Sequence, residues 1–486
     1  MKRKIPILIL ILVLFTTVCF SFFSYNNYKI HQGFTSIPLS FDPYTGISSY
    51  TWNGAQVSIQ GGFIKGTMKE MGTPENLLLR ALSPTPKITV KGGTIPQTYF
   101  IRLENVNPIE LTTSEGNENL KILDSHTVLF TIKAETNEEK SVTLLLKNPH
   151  SEFVILGDNR NGYQTFSDII DQINAVHPAF VIDNGDLVFG GEANRYRLFY
   201  ETVSKLQVPL YTTLGNHDIR KNGRDIYTLL FGPPCFSFDY QNSHFIFLDS
   251  SRGWVEKRSI PEEQYQWLED DLKRNQGKRL FVFTHIPPTD PRANLQPNTY
   301  PDIPGEEKTS VIEDEFNKLS GMNNLDHAFP DKEEAKRFEQ LMTQYKVDTV
   351  FLSHIHSYFS FLKDNVRYII SGGAGAELLT KDSYYHYMRV KTTTQENYLE
   401  VVTLPSPPNQ LQDRYIAAAQ LFVSSTYKEY TPIVLALGLI LVFIVLWLLW
   451  AYRHRWWVFS KKLGIWLKGS ISYAISKYKE IVKPKN

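Results

Sequence analysis

Residues 153–160 have the sequence FVILGDNR, and this stretch introduces the pattern of the middle of the chain. Its first four residues are apolar and predict a buried β-strand, which ends at Gly157-Asp158. Apolar residues then recur at helical spacing, at Phe166, Ile169, Ile170, Ile173 and Val176, before a second apolar run at Phe180-Val181-Ile182. A strand, a polar loop, a helix and another strand in this order predict an α/β architecture.

Four more segments place polar residues directly after apolar runs. They are Asn184-Gly185-Asp186, Gly215-Asn216-His217-Asp218, Thr284-His285 and Ser353-His354-Ile355-His356. Open α/β sheets bind ligands beyond the carboxyl ends of their strands. Carboxylate, amide and imidazole groups are ligands for divalent metals. Together with Asp158, these segments predict a two-metal hydrolytic site.

Phosphate ester hydrolysis explains why such residues are gathered. Two divalent cations about 3.5–4 Å apart lower the pKa of a bound water and clamp the oxygens of the phosphoryl group. One carboxylate has to bridge the metals, and the other ligands have to be mostly neutral so that the site accepts an anion. His354 and His356 are two residues apart, so in an extended segment both side chains point the same way and can reach neighbouring metals.

The five segments, in this order, resemble the motifs of the calcineurin-like metallophosphoesterase superfamily. The resemblance covers residues 153–404, about half of the chain. It implies an α/β (α+β) fold class with a four-layer α/β/β/α sandwich. It also implies two divalent metal ions, for which Mn²⁺, Fe and Zn²⁺ stay open, and metal-dependent hydrolysis of a phosphomonoester or a phosphodiester.

The resemblance also implies a role for each motif residue. Asp158, Asp186 and His356 correspond to the ligands of the first metal, and Asp186, Asn216, His285 and His354 to those of the second, with Asp186 bridging. His217 corresponds to the general acid that protonates the leaving oxygen, and Asp218 to the acid that orients it. Because an acid partner raises the pKa of an imidazole, we expect a raised pKa for His217.

The chain departs from the superfamily pattern at the first motif. Arg160 stands where a histidine ligand is usual, and arginine stays protonated and cannot bind a metal. We therefore assign Arg160, with Asn159, to substrate binding, since a guanidinium can bind phosphate in a bidentate manner. Phe189 stands where purple acid phosphatases carry a metal-binding tyrosine. The alternative is a surface binding or scaffold protein whose weakened site keeps one metal or none.

The chain is too long for one compact core and divides into several predicted parts. Residues 28–149 predict a β-sandwich, a spacer or packing partner, with one short helix at 74–82. Residues 150–405 form the predicted catalytic domain, and 406–431 a linker. The loop 287–331 begins directly after the candidate metal-ligand segment at His285 and is a candidate lid. The run Ser371 to Ala376 is either a phosphate cradle or a packing turn, and His177 and His244 are predicted to lie outside any site.

Two apolar segments predict membrane crossing. Residues 1–27 contain the apolar stretch 5–23 and form a signal anchor or a cleaved signal peptide, and 432–452 form a second span. Lysines and arginines precede the first and follow the second, so both termini are expected in the cytoplasm and the catalytic domain outside it. The basic tail 453–486 is an amphipathic helix on membrane lipid or a solvated flank.

The cysteine count and the net charge limit the compartments and partners that are expected for this protein. Two cysteines, one of them inside the first apolar segment, exclude a disulfide framework and favour a bacterial surface protein. The formal net charge of +1 indicates no nucleic-acid partner. The substrate is expected to be either a soluble phosphorylated small molecule or a membrane or cell-wall phosphate.

Overall fold

The structure is a computed structural model that describes most of the chain. The described residues are 12, 15–16, 34–114, 120–252, 257–299, 327–378, 380, 382–393, 396–406, 411–451 and 465–472. They divide into two units, His31–Glu429 and a second unit made of Met1–Ile30 with Tyr430–Asn486.

The N-terminal part of the larger unit consists of two sheets in which most neighbouring strands are antiparallel. Its strands are β1 (Phe34–Ser36), β2 (Ile47–Trp52), β3 (Ala55–Gln60), β4 (Gly62–Met68), β5 (Asn76–Ala81), β6 (Lys87–Lys91), β7 (Gln97–Glu104), β8 (Leu111–Thr113), β9 (Lys121–Asp124), β10 (Thr127–Ala134) and β11 (Glu139–Leu146). The strand orders are β1-β4-β5-β7-β10-β9 and β2-β3-β6-β11-β8. Inward-facing residues of both sheets, such as Val57, Leu79 and Ile101, form one core, so the predicted β-rich region is confirmed.

The short helix predicted at 74–82 is wrong. Residues Asn76–Ala81 form β5, which pairs antiparallel with β4 and parallel with β7. All six residues of β5 are buried. A strand covered on both faces lacks the alternation of apolar and polar residues that distinguishes a strand from a helix in a sequence.

The predicted catalytic part has two further main sheets. The strands are β12 (Glu152–Leu156), β13 (Val181–Asp183), β14 (Leu210–Thr212), β15 (Phe236–Tyr240), β16 (Ser243–Phe247), β17 (Ser251–Arg252), β18 (Lys257–Arg258), β19 (Arg279–Phe283), β20 (Thr349–Leu352), β21 (Tyr358–Lys363), β22 (Val366–Ser371), β23 (His386–Thr392) and β24 (Asn397–Thr403). The sheet orders are β14-β13-β12-β23-β24 and β15-β16-β19-β20-β22-β21, and β17 pairs with β18. Within them β12, β13 and β14 are parallel, as are β16, β19, β20 and β22.

The larger unit contains these described helices: α1 (Tyr163–Val176), α2 (Ala193–Val203), α3 (Gly223–Phe231), α4 (Glu262–Arg274), α5 (Lys332–Gln344) and α6 (Leu411–Glu429). Residues of α1, α2 and α3 share a core with β12–β14, and residues of α4 and α5 share a core with β16, β19 and β20. Facing aromatic residues of the two sheets, including Phe153, Phe180, Phe245 and Phe281, form a third core. The mixed α/β fold is therefore confirmed.

The predicted linker 406–431 contains α6, which packs against α2. The sequence pattern did not predict this helix because small and polar residues, such as Ala417, Ser425 and Thr426, stand between its apolar residues. The second unit contains α7 (Thr431–Ala451), the one described helix that is long and apolar enough to cross a membrane. Residues 465–472 of the predicted basic tail are also helical. The first predicted span lies outside the described residues apart from positions 12, 15 and 16.

Candidate metal centre

The five polar segments follow five strands of the two sheets β14-β13-β12-β23-β24 and β15-β16-β19-β20-β22-β21. Asp158 follows β12, Asp186 follows β13 and Asn216 follows β14, while His285 comes after β19 and His354 after β20. In each sheet the parallel strands carry these loops at their carboxyl ends, which brings the loops of one sheet to a common edge. The fold thus collects residues that are up to about 200 positions apart in sequence.

Two groups of buried ligand atoms meet at this edge. One consists of Asp186, His285 and His354, and the other of Asp158, Asp186 and His356. Within each group the ligand atoms lie within 4.8 Å of one another. Asp186 belongs to both groups, which is the arrangement that a bridging carboxylate requires.

The backbone is bent at three of these residues. Asp158, Asp186 and His354 have φ values of 57°, 56° and 69°, in the left-handed region that non-glycine residues rarely adopt. A Cβ at Gly215 would lie 2.2 Å from both the backbone nitrogen and Oδ1 of Asp186. Backbone strain of this kind is tolerated where the surrounding structure enforces it, as it is at many functional sites.

Hydrogen bonds to backbone carbonyl groups orient two histidine rings, so that the other ring nitrogen of each faces a carboxylate. His285 donates from Nδ1 to the carbonyl oxygen of Asn184 at 2.8 Å, and His356 donates from Nδ1 to that of Glu377 at 2.5 Å. The remaining Nε2 atoms lie 3.3 Å from Asp186 Oδ1 and 3.5 Å from Asp158 Oδ1. A carbonyl partner that sets the tautomer in this way is typical of histidines that bind metals.

Burial lowers the pKa of each ligand histidine. The pKa of His285 is lowered, that of His354 lies well below its usual value through burial and the nearby His285, and that of His356 falls to about 4 through burial and Arg160. The imidazoles are therefore neutral, and the unprotonated Nε2 atoms of His285 and His356 face carboxylate oxygens of Asp186 and Asp158. Among the described residues Asp158 Oδ1, Asp186 Oδ2 and His285 Nε2 have no hydrogen-bond partner. Divalent cations fit such a donor set.

The two carboxylates of the site differ in their pKa. Burial and the negative charge of Asp186 raise the pKa of Asp158 well above its usual value. Burial also acts to raise the pKa of Asp186, but His217, His285 and Arg160 outweigh it and lower the net value. The shared residue is thus the one that stays ionised.

Arg160, the predicted substrate-binding residue, lies beside the two groups of ligand atoms. Its Nε is 3.3 Å from Asp186 Oδ2, and one terminal nitrogen is 3.3 Å from His356 Nε2 and 3.1 Å from Glu377 Oε1. The other terminal nitrogen is 2.8 Å from His217 Nε2. The guanidinium therefore joins the group of Asp158, Asp186 and His356 to His217.

The structure changes the role expected of Asp218. Its carboxylate accepts backbone N–H bonds from Asp186, Val188 and Gly215, at 2.8–3.0 Å, so it holds the loops in place and does not orient the His217 ring. The ring donates instead from Nδ1 to the carbonyl oxygen of Phe189 at 2.7 Å. Burial and Arg160 lower the pKa of His217 well below its usual value, opposite to the expected direction.

The two asparagine predictions have different outcomes. Asn159 is fully buried, and its amide donates to Asp183. Asn216 is 2% exposed and lies in the loop whose next residue, His217, donates its backbone N–H to Asp186 Oδ1 at 3.0 Å. The structure therefore brings Asn216 to the edge of the site and places Asn159 beneath it.

The glycine-rich run after β22 is a packing turn. Its backbone N–H groups at Gly372, Ala374 and Ala376 donate to the carbonyl oxygens of Ser357, Gly157 and Asp158. A Cβ at Gly372 would also lie 2.5 Å from Asp158 Oδ2. These N–H groups are engaged within the protein, so the phosphate-cradle alternative for this run is not supported.

Two residues near the site carried no sequence motif. Glu377 contacts both Arg160 and His356, and the ring of His327 lies 5.1 Å from that of His354. His327 also contacts Arg292, whose guanidinium pairs with Asp290 at 2.6 Å. Of the candidate lid 287–331, His327 thus lies beside His354 and Arg292 contacts His327, while residues 300–326 lie outside the described residues.

Residues 151–358 match the family model of the calcineurin-like phosphoesterases. The chain is 32% identical over 124 residues to a probable glycerophosphodiester phosphodiesterase GpdQ of Arcobacter nitrofigilis, covering 23% of this chain and 42% of that protein. It is 28% identical over 143 residues to glycerophosphodiester phosphodiesterase GpdQ of Enterobacter lignolyticus, covering 27% and 50%.

A further relative is the DNA double-strand break repair protein Mre11 of Methanococcus maripaludis, 28% identical over 180 residues, with 31% of this chain and 48% of that protein covered. The chain spans about half the length of these curated relatives or less. Residues 151–358 of the chain are therefore similar to the calcineurin-like phosphoesterases.

Proposed function

We propose that the chain is a metal-dependent hydrolase that cleaves a phosphodiester or phosphomonoester outside the cytoplasm. The observation that carries the proposal is the sharing of Asp186 between two groups of metal-ligand atoms. Two relatives named as glycerophosphodiester phosphodiesterases support a small phosphodiester as the first substrate to test.

Two divalent ions would be held by the two ligand groups, with Asn216 as a further ligand beside His285 and His354. When bound, such ions lower the pKa of a coordinated water and neutralise charge on phosphoryl oxygens. The described donor set of imidazole, carboxylate and amide is compatible with Mn²⁺, Fe and Zn²⁺, so it does not select among them.

Arg160 and His217 are the residues that we assign to the substrate itself. The Arg160 guanidinium, held by Asp186 and Glu377, is the buried cation that can bind a phosphate oxygen. When it does so, Nε2 of His217 loses its present contact with Arg160 and becomes available to donate a proton to the leaving oxygen. A bound phosphate is also a negative charge beside the imidazole, which raises its pKa and favours the protonated form.

The proposed location rests on the apolar helix α7 and on the distribution of lysine and arginine around the two apolar segments. An anchored domain is retained close to the bilayer, which raises its effective concentration toward a lipid-linked phosphate. A soluble phosphodiester is the competing substrate class. Protease added to intact cells should cut the catalytic domain, and full protection in intact cells would contradict the outward topology.

The activity is tested with the full-length chain purified in detergent. With Mn²⁺ it should hydrolyse bis(p-nitrophenyl) phosphate or p-nitrophenyl phosphate. His217→Ala should lower kcat at least about a hundredfold, since a general acid contributes roughly 10²–10⁴-fold. His177→Asn is the matched control because His177 is an exposed helix C-cap with φ 50°, a backbone conformation that asparagine also adopts.

Metal analysis separates the enzyme from the alternative. Two ions per chain together with hydrolysis support the proposed function, and full activity of His217→Ala would remove the histidine from the mechanism. The scaffold alternative draws its support from Arg160, whose charge lies against the ligand atoms of Asp186 and His356. A chain that binds no metal and hydrolyses neither ester would favour that alternative.

A further inference from the structure

Helix α6 lies in the segment that was predicted to be a linker, yet one of its faces is buried against the catalytic domain. Ser425 and Glu429 are 1% and 2% exposed. Phe422 precedes Ser425 by three residues and Glu429 follows it by four, so all three lie on one face of the helix. Phe422, at the edge of this face, is 47% exposed, and Val423, which lies off it, is 65% exposed.

The first contact of this face reaches the neighbour of Arg160. The Ser425 hydroxyl donates to Asn161 Oδ1 at 2.9 Å. Asn161 is 4% exposed and has a φ of 64°, so its conformation is constrained. Because Asn161 directly follows Arg160, this hydrogen bond restrains the backbone that carries the guanidinium.

The second contact reaches Phe189. The rings of Phe422 and Phe189 meet edge to face, with centroids 6.0 Å apart. The guanidinium of Arg160 lies 5.3 Å from the centroid of the same Phe189 ring. The backbone carbonyl of Phe189 is the acceptor that holds the imidazole of His217. Phe189 therefore contacts α6, Arg160 and His217.

An ion pair fastens the end of the helix to the same place. Glu429 Oε1 lies 3.3 Å from a terminal nitrogen of Arg195, and the Arg195 guanidinium is 5.3 Å from the centroid of the Phe189 ring. Both partners are buried. Removal of one partner of a buried ion pair strongly destabilises a folded protein. This contact therefore holds the C-terminal end of α6 in position.

We propose that α6 is a positioning element of the site, which sets the Arg160 guanidinium and the His217 imidazole through Asn161 and Phe189. The inference rests on the proposed function and adds two positioning residues, Phe422 and Ser425, which act on phosphate binding through Asn161 and Phe189. Only Tyr430 separates α6 from the apolar helix α7 in the chain. Phosphate binding is thus tied to the helix that directly precedes the candidate membrane span.

The inference is tested by calorimetric titration of the metal-loaded, full-length chain with inorganic phosphate, which does not depend on turnover. Phe422→Ala and Ser425→Ala should each weaken phosphate binding about tenfold, since small displacements of positioning groups have effects of this order or larger. Val423→Ala, on the exposed side of the same helix, is the matched control. Phe422→Tyr and Ser425→Thr should restore binding because they keep the ring and the hydroxyl.

A double-mutant cycle with Arg160→Ala distinguishes positioning from general destabilisation. If α6 acts through Arg160, Phe422→Ala should weaken phosphate binding no further in the Arg160→Ala background. Equal losses in both backgrounds, or unchanged binding in Phe422→Ala and Ser425→Ala at unchanged metal content and melting temperature, would overturn the inference. Ester hydrolysis by the unsubstituted chain is measured separately, so its absence counts against the proposed function and leaves the phosphate titration decisive for α6.

Discussion

At the scale of single residues, Arg160 makes the site asymmetric. The Arg160 guanidinium lies 3.3 Å from Nε2 of His356 in one group of ligand atoms, whereas its described contact with the other group is through Asp186, which both groups share. A positive charge at that distance repels a divalent cation bound to the same nitrogen. We therefore expect the group containing Asp158 and His356 to bind its ion more weakly.

Replacing Arg160 by histidine should reverse this asymmetry. Arg160→His removes the repelling charge and supplies an imidazole, so the variant should retain two ions per chain after dialysis under conditions in which the unsubstituted chain retains about one. Elemental analysis of the dialysed proteins measures this. Arg197→His, the same change on α2, is the control. Equal metal content in all three proteins would show that Arg160 does not govern occupancy.

At the scale of secondary structure elements, a buried histidine joins β16 to α4. His244 donates to Asp239 and to Asp271, both at 2.7 Å. Burial acts to lower the pKa of His244, but the two carboxylates outweigh it and raise the net value. The interpretation of His244 as a structural residue outside the metal site agrees with these contacts.

The raised pKa of His244 predicts the direction of a pH effect on stability. A folded-state pKa above the unfolded one contributes stability that is fully present below about 6.5 and is lost as the pH rises through the raised value. His244→Gln should therefore lower the melting temperature more at pH 5.5 than at pH 9. His177→Asn, the replacement of an exposed histidine, is the control. A His244→Gln deficit that is constant from pH 5.5 to 9 would contradict the charged pair.

At the scale of the whole larger unit, the β-rich region docks on the edge strand β14 of the catalytic part. The Asn105 amide donates to the carbonyl oxygens of Leu210 and Ala81 and accepts from the backbone N–H of Leu210, at 2.8–3.0 Å. Arg80 reaches the same carbonyl of Leu210 and stacks on Phe231. A strand edge left unpaired is thus covered from within the chain.

Loss of this docking contact should destabilise the unit measurably. Asn105→Ala removes three buried hydrogen bonds, and the free energy of unfolding should fall by about 1–3 kcal/mol beyond that of the control. The control is Asn137→Ala, because Asn137 is exposed and has a φ of 58°, close to the 65° of Asn105. Urea denaturation of both variants provides the comparison. Equal losses would mean that only backbone conformation matters at position 105.

The sequence by itself determined the resemblance to the calcineurin-like phosphoesterases, the α/β class of the predicted catalytic part and the gathering of its candidate metal ligands. Asp158, Asp186, His285 and His354 each follow an apolar strand, and parallel strands end at a common edge whatever their side chains are. Local patterns of this kind are visible in one dimension because strand, turn and loop chemistry depend mainly on neighbouring residues.

Only the tertiary structure decided which groups face one another. Asp218 holds backbone N–H groups, Asn159 is buried against Asp183, Glu377 faces Arg160, and α6 contacts Phe189. Each of these contacts joins residues from separate loops or helices, and the direction of a side chain is set by packing that no local pattern encodes. The strand β5 was missed for the same reason, since its burial on both faces arises only when the sheets are assembled.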